Sequence, residues 1–444
     1  MNSQSVTVSA DISRRKFLWL TAMSAAGAMV GCAANPVTGE KQLMLVSKEQ
    51  EIQIDKQNSP HQFSSDYGPL QDKALNQYIN NIGRTMAVKS HRTDMPYSFR
   101  GVNATYVNAY AFPGGSIAVT RGILLELDNE AELAALLGHE LGHVNARHTA
   151  EQMSKGMLTQ AVVGGLSVYA GTRSRIAAQL AQSIGMIGAG ALLASYSRDN
   201  EREADALGME YMVKAGYGSD GFVGLMGMLK NMSKHKPSAV EMMFATHPMG
   251  DERYRTAVGM AQTDYRAYKN RPLYRDRYMD NTARLRKIKG AIDEMQKGEK
   301  EAVQKKFGKA EAHFQRALKI APNDYAGLTM MSKCMLVQEK IKAARAYAEM
   351  AKAVYPSEAQ AHHLAGFAKI QQKKYSAAYE DFAAYDRLLP GNPNTTFFKG
   401  YALEGMGNHQ ASARSYHQYL QTVQQGEQAK HAYRRLVEWG YIRK

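Results

Sequence analysis

Apolar residues between positions 129 and 148 recur three and four apart, as Leu133, Leu136, Leu137, Leu141 and Val144. That spacing predicts a helix with a buried face. Asn129 at its start and Glu132 three positions on have the pattern of a capping box. Leu75, Tyr78, Ile79, Ile82 and Met86 predict an earlier helix near 70–88, and Ser47 with Gln50 marks the cap of one before it. Strand character runs over Tyr97–Val102 and Ser116–Thr120, with Pro113-Gly114-Gly115 as a turn between them. A helix carrying Glu201 is expected to end at Gly216. Residues 156–172 and 176–197 are uncharged runs on either side of Arg173–Arg175. Each is marginal in length for a membrane span. Gln160, Gln179, Gln182 and Ser183 interrupt them, which favours Gly/Ala-rich helices packed beside the following segment over a transmembrane hairpin.

The C-terminal third is periodic. Pro322, Pro356 and Pro390 stand 34 residues apart, the tetratricopeptide period. In phase with them, Gly298, Ser332, Gly366 and Gly400 fall at the small position of a first helix, and Ala310, Ala344, Ala378 and Ser412 at that of a second. Phe314, Phe382 and Tyr416 take the large position, from which Ala348 departs. Gln424 stands where a fourth proline would, as suits a terminal repeat. Such arrays form concave surfaces for peptides or proteins.

Composition changes this picture at the N-terminus. The chain has 444 residues, 44% hydrophobic and 22% charged, with a formal net charge of +15. That excess suits an anionic membrane surface or acidic polymers. Residues 1–31 read as an export signal. Ser13-Arg14-Arg15-Lys16-Phe17-Leu18 resembles a twin-arginine motif, although general secretion also fits. An apolar run then ends in Met29-Val30-Gly31-Cys32, which resembles a lipobox, so Cys32 would be acylated. The alternative is a plain apolar anchor. Export argues against nucleic acid, and the tyrosine-rich basic stretch 264–289 then reads as a solvated connecting helix. Cys334 is the one other cysteine, so no disulfide joins two free side chains, and it reads as a buried small hydrophobe.

The predicted helix over 129–148 contains His139-Glu140-Leu141-Gly142-His143. Residues four apart lie on one helix face, so His139 and His143 can aim two imidazoles at one metal. Glu140 stands beside them, placed to take a proton from water. Zinc needs a third protein ligand. Ala146 and Thr149 occupy the positions where a metzincin would have Gly and His, and His148 is expected on another side of the helix. Glu201 supplies the ligand instead, with Asp205 four positions on to accept the second N–H of a ligand histidine.

With NAYAFPGGSIAVTRGILL from Asn108, LLGHELGHVNARH from Leu136, SRDNEREAD from Ser197 and THPMGDER from Thr246, the chain resembles the gluzincins of metallopeptidase family forty-eight, the HtpX, BepA and CAAX-prenyl-endopeptidase type. The resemblance covers roughly residues 45–265, and with the repeats it points to the periplasmic BepA-like members. It implies one zinc ion per chain, Asn108 and Ala109 on an edge strand that binds substrate backbone, and catalytic roles for Glu140, His247 and Arg253. His247 would either stabilise the oxyanion or fill the fourth zinc position and keep the enzyme latent. Arg253 would support that loop or bind a carboxylate.

The expected architecture is mainly α: a zincin-like α+β protease domain with a small sheet, then an α-solenoid. The expected boundaries are signal 1–31, lipidated tether 32–46, protease 47–265, basic linker helix 266–290, four repeats 291–426 and capping helix 427–444. The expected function is a zinc endopeptidase of the bacterial envelope, facing the periplasm from the outer membrane, acting on misassembled envelope proteins. The repeats would dock polypeptide substrates or outer-membrane assembly machinery. The alternative is a chaperone or assembly adaptor with latent proteolysis.

Overall fold

The computed structural model describes residues 32–167, 196–235 and 240–443. The export signal, the Cys32 side chain and most of the two uncharged runs lie outside the described residues. Among those described, no helix is long and apolar enough to cross a membrane.

The segment expected to be a tether is a hairpin. β1 (Cys32–Ala34) pairs antiparallel with β2 (Lys41–Leu43). Asn35 Oδ1 accepts the Val37 N–H at 2.8 Å, and Gly39 takes φ +74° to close the turn. Helix α1 (Lys48–Ser65) starts at Ser47, whose side chain forms a capping box with Gln50. Much of α1 is polar yet buried, and its charges are matched: Glu51 meets Arg92 at 2.6 Å and Arg147 at 3.1 Å. Helix α2 (Lys73–Ala87) begins three residues inside the expected span because the Asp72 side chain caps the Ala74 and Leu75 N–H groups.

A three-stranded sheet follows, made of β3 (Ser98–Val102), β4 (Ala109–Ala111) and β5 (Ser116–Thr120) in the order β3-β5-β4. β5 runs parallel to β3 and antiparallel to β4. β4 and β5 form a hairpin over Pro113–Gly115, with Gly115 at φ +103°, and β4 is left as an edge. The chain continues through α3 (Arg121–Glu126), α4 (Glu130–Asn145), α5 (His148–Ser167), α6 (Arg198–Lys214), α7 (Asp220–His235), α8 (Glu241–Thr246) and α9 (Asp251–Gln262). Every residue of α4 is buried. Asn129 caps it, accepting the Glu132 N–H at 3.0 Å. Glu132 answers differently from the expected box, since it takes the N–H of Asp128 at 2.8 Å rather than that of Asn129.

The basic stretch is not a solvated connector. Helix α10 (Arg275–Lys287) docks on the protease core through Tyr278, which is fully buried and donates to the Leu124 carbonyl at 2.6 Å. Arg286 donates to the Leu127 carbonyl at 2.7 Å. Arg277 pairs with Glu130, which also accepts from Tyr78 and Tyr217 at 2.8 Å each. Tyr278, one of the tyrosines that the basic sequence presents as a stacking surface, is here used in packing.

Four helix pairs complete the chain: α11 (Lys289–Val303) with α12 (Phe307–Ile320), α13 (Tyr325–Val337) with α14 (Ile341–Val354), α15 (Gln360–Gln371) with α16 (Tyr375–Leu388), and α17 (Pro393–Gly405) with α18 (His409–Thr422). Helix α19 (Glu427–Glu438) covers the last. The small positions work by close approach. A Cβ on Gly298 would lie 2.4 Å from the Phe314 ring, and one on Gly366 2.9 Å from that of Phe382. In the second pair, where Ala348 replaces the aromatic, Ser332 Oγ instead donates to the Ala344 carbonyl at 2.9 Å.

The repeats share a core with the protease. One buried apolar cluster runs from Tyr67 to Ala361. Arg121, 2% exposed, reaches Asp324 at 2.5 Å. Ser64 and Tyr325 both donate to Glu358, and Gln296 donates to the Thr105 carbonyl at 2.7 Å.

At the far end, Glu404 ties the last repeat to α19, accepting from Tyr416 at 2.6 Å, His431 at 2.9 Å and Arg435 at 2.6 Å. Burial alone would raise the Glu404 carboxyl, but His431, Tyr416 and Arg435 outweigh it and pull it from 4.5 to about 2. A folded-state value below the unfolded one contributes stability that is whole above about pH 4.5 and lost as pH falls towards 2. Without residues 1–31, Trp439 is the only tryptophan, and it stacks on His409 at 4.6 Å. In that chain the Trp439 fluorescence should report an acid transition within this window. Glu404→Gln should flatten it; superimposable acid profiles would exclude Glu404 as its source.

Candidate active site and metal centre

Two helices make the site by crossing almost without side chains between them. On α6, Glu201, Ala204, Asp205 and Gly208 are spaced to share one face. On α4, Gly138, His139, Gly142 and His143 share the facing one. A Cβ on Gly138 would lie 2.9 Å from the Gly208 carbonyl oxygen, one on Gly142 3.0 Å from Ala204 Cα, and one on Gly208 2.8 Å from the His139 backbone nitrogen. Backbone contact at this crossing carries the Glu201 carboxylate to the two histidines.

One ligand-capable atom from each of His139, His143, Glu201 and His247 lies within 4.8 Å of all the others, and all four residues are buried. His143 Nε2 is 3.1 Å from His139 Nε2 and 3.3 Å from Glu201 Oε1. His247, just beyond α8, places Nδ1 3.0 Å from Glu201 Oε1 and 3.4 Å from His139 Nε2. Its Nε2 lies 3.7 Å from Glu140 Oε1, while Glu140 Oε2 is buried without a hydrogen-bond partner. Burial raises the Glu140 carboxyl above the usual range. Burial works the same way on Glu201, but His247, His143 and His139 prevail and hold it well below.

Around this cluster the charges interlock. Asp205 Oδ1 lies 2.9 Å from His139 Nδ1, at an angle short of a good hydrogen bond. Arg253 grips both Asp205 oxygens at 2.7 Å, approaches Glu201 Oε2 at 2.6 Å and donates to the Pro248 carbonyl at 3.1 Å. Its guanidinium is thus turned to the carboxylates of α6 and to its own loop. Leu136, Leu225, Met226, Met243, Phe244 and Met249 wall a small enclosed cavity beside His139 and Glu140.

Asn108 immediately precedes the edge strand β4, on which Ala109 is the first residue, and β4 runs against α4. Asn108 is fully buried, and neither its side-chain oxygen nor its nitrogen has a partner. Such an orphaned amide is costly unless something else satisfies it.

One expectation is overturned. His148 does not face away from His143: its Nδ1 lies 2.9 Å from His143 Nδ1. The reason is local. Helix α4 ends at Asn145, Arg147 adopts φ +61°, and His148 opens a new helix that turns back. Two further residues carry no motif of their own. Tyr196 stacks on the His143 ring at 3.8 Å and 18°, and Glu203 Oε2 meets His148 Nε2 at 3.1 Å. The available signal was that each lies within a few residues of a site residue: Tyr196 before Glu201, Glu203 two after it.

A family model described as Peptidase family M48 matches residues 73–261. The metalloprotease YcaL of Escherichia coli (strain K12) is 32% identical over 202 residues, covering 45% of this chain and 72% of that protein. This chain belongs to peptidase family M48. The beta-barrel assembly-enhancing protease of Yersinia pestis is 28% identical over 375 residues, 78% of this chain and 76% of that protein. The Escherichia coli (strain K12) protein of the same name is matched over 41% of its length. Among solved structures, YrrB, a TPR protein with an unusual peptide-binding site, aligns with 46% of this chain and 97% of its own at 15% identity and a TM-score of 0.31. As a member of M48 the chain is a metalloprotease, and the His/Glu cluster is where its described residues can hold a metal ion.

The crossing makes a direct prediction. Gly→Ala inside a helix gains about 1 kcal/mol of helix propensity. Gly259, with nothing within 4 Å of a built Cβ, should show that gain in urea unfolding. Gly208→Ala should instead lose about 1–3 kcal/mol through overpacking. Equal stabilisation of the two variants would mean that α4 and α6 have slack at this point.

Proposed function

We propose that the chain is a zinc-dependent endopeptidase of the bacterial cell envelope that hydrolyses misfolded or misassembled envelope proteins. The observation that carries the reading is the convergence of His139, His143 and Glu201 on one buried point beside Glu140. Two imidazoles and a carboxylate are a catalytic zinc set, which keeps a further position open. When bound, zinc would polarise the scissile carbonyl and make water acidic enough to lose a proton near neutrality.

Glu140 would take a proton from the attacking water and pass it to the leaving amine. Arg253 holds Glu201 and Asp205 in register, a positioning role. Asn108 and Ala109 bind substrate backbone: an extended segment adds to the β4 edge, giving main-chain affinity with little sequence preference, and satisfies the Asn108 amide. The names of the relatives and the lipobox-like sequence at Cys32 support an outer-membrane lipoprotein facing the periplasm, with the repeats docking substrate or assembly machinery. A purely adaptor role leaves Glu140 unexplained.

His247 would hold the metal as an inhibitory fourth ligand. Its Nδ1 lies among the donor atoms, 3.0 Å from Glu201 Oε1, and there it takes the place the attacking water needs. An oxyanion donor would have to leave that position first.

Zinc content and casein cleavage test these assignments together. Glu201→Ala should lose zinc. Glu140→Gln should keep it and lose about 10²–10⁴ in cleavage rate. His247→Ala should raise turnover and self-cleavage; a fall with zinc fully bound would transfer His247 to the oxyanion. Cys32→Ser should abolish lipid labelling and release the protein from the membrane fraction, and unchanged membrane association would disprove the lipid anchor.

A further inference from the structure

We propose that His148, Glu203 and Asn35 form a hydrogen-bond relay that holds His143 in its metal-binding tautomer, so that the N-terminal hairpin is a working part of the metal site. The proposal rests on the zinc reading of His143.

The direction of both histidine bonds follows from that reading. An imidazole that binds metal through Nε2 carries its proton on Nδ1. His143 Nδ1 faces His148 Nδ1 at 2.9 Å. Two ring nitrogens cannot both donate across that gap, so His148 Nδ1 accepts. The proton of His148 is then on Nε2, which lies 3.1 Å from Glu203 Oε2. The other Glu203 oxygen accepts the Asn35 amide N–H at 3.0 Å. The two histidine bonds run toward Glu203, and the Asn35 N–H donates to the same carboxylate from the other side; reversing the histidine bonds would put the proton on His143 Nε2 and block ligation.

The residue types fit. The His148 side chain is 1% exposed, and Asn35 is 6% exposed. Tyr196 stacked on the His143 ring restricts its tilt, which leaves the proton position for His148 to set. His139 has a carboxylate, Asp205, directly behind it; His143 has one a histidine further away.

Asn35 is used at both ends of its amide. Its oxygen turns the hairpin by accepting Val37 N–H at 2.8 Å, while its nitrogen reaches across 168 residues of sequence to Glu203. The hairpin is held there by further bonds: Leu45 N–H to Ser154 Oγ at 2.9 Å, and Arg147 to the Val46 carbonyl at 2.7 Å. A segment that looks like a spacer is bolted to the back of the site.

Asn35→Asp separates the relay from mere folding, since aspartate can still turn the hairpin but cannot donate, and it sets a carboxylate against Glu203. Zinc affinity of the full processed chain, by chelator competition, and the visible spectrum of the cobalt form are the readouts. His148→Ala should lose on the order of 10–100-fold in affinity and shift the cobalt bands. Asn35→Asp and Glu203→Ala should lose less, in the same direction. With His148 already replaced, Asn35→Asp should cost nothing more. Additive losses, or wild-type affinity and spectrum in Asn35→Asp, would overturn the relay, and the latter comparison stands even if His148→Ala fails to fold. Stoichiometric zinc in Glu201→Ala would instead sink the underlying site assignment.

Discussion

The site exists because two helices touch backbone to backbone. Gly138, Gly142 and Gly208 bring the backbones of α4 and α6 together with almost no side chain between them, whereas typical helix pairs sit 8–10 Å apart because side chains intervene. A methyl group there moves a carboxylate relative to two imidazoles, and ligand geometry tolerates little of that. The full burial of α4 follows from the same demand: the sheet, α2, α7 and α10 all press on it, so that it has nowhere to move. The two variable positions of its His-Glu-x-x-His motif include one of these glycines, so the spacer is as constrained as the ligands.

What the sequence made legible were features with a period. Four-residue spacing aligned His139 with His143 and Glu201 with Asp205, and the 34-residue spacing located four helix pairs. Features that depend on a break in period were not legible. The reversal at Arg147 uses a non-glycine residue at positive φ, which leaves no mark in composition, and so His148 looked misdirected. The docking of α10 was hidden because Tyr278, Arg277 and Arg286 read as surface residues until Glu130 and the Leu124 and Leu127 carbonyls are placed opposite them. Asn35 and Glu203 are too far apart in sequence for any local pattern to join them.

Charge within the molecule is organised around buried carboxylates, each held by several donors. Glu51, Glu130, Asp205 and Glu404 all receive at least one arginine. A buried charge that loses its partner costs far more than an exposed pair gains, so these clusters define unique arrangements of the helices they join. Glu130 joins α2, α4, α10 and the turn after α6, and Asp205 with Arg253 joins α6 to α9. The arginines in these clusters are internal scaffolding, and because each is matched by a carboxylate they do not contribute to the net positive charge of the chain.

The union of protease and repeats has a mechanical side. Arg121 directly follows β5, the strand that carries the β4 edge, and its guanidinium is clasped to Asp324 in the second repeat pair. With a common core on both sides, Arg121 is one of several ties that join the first repeats to the sheet. This contact with the repeats stands one residue from Thr120, whose hydroxyl accepts the Asn108 N–H at 3.1 Å.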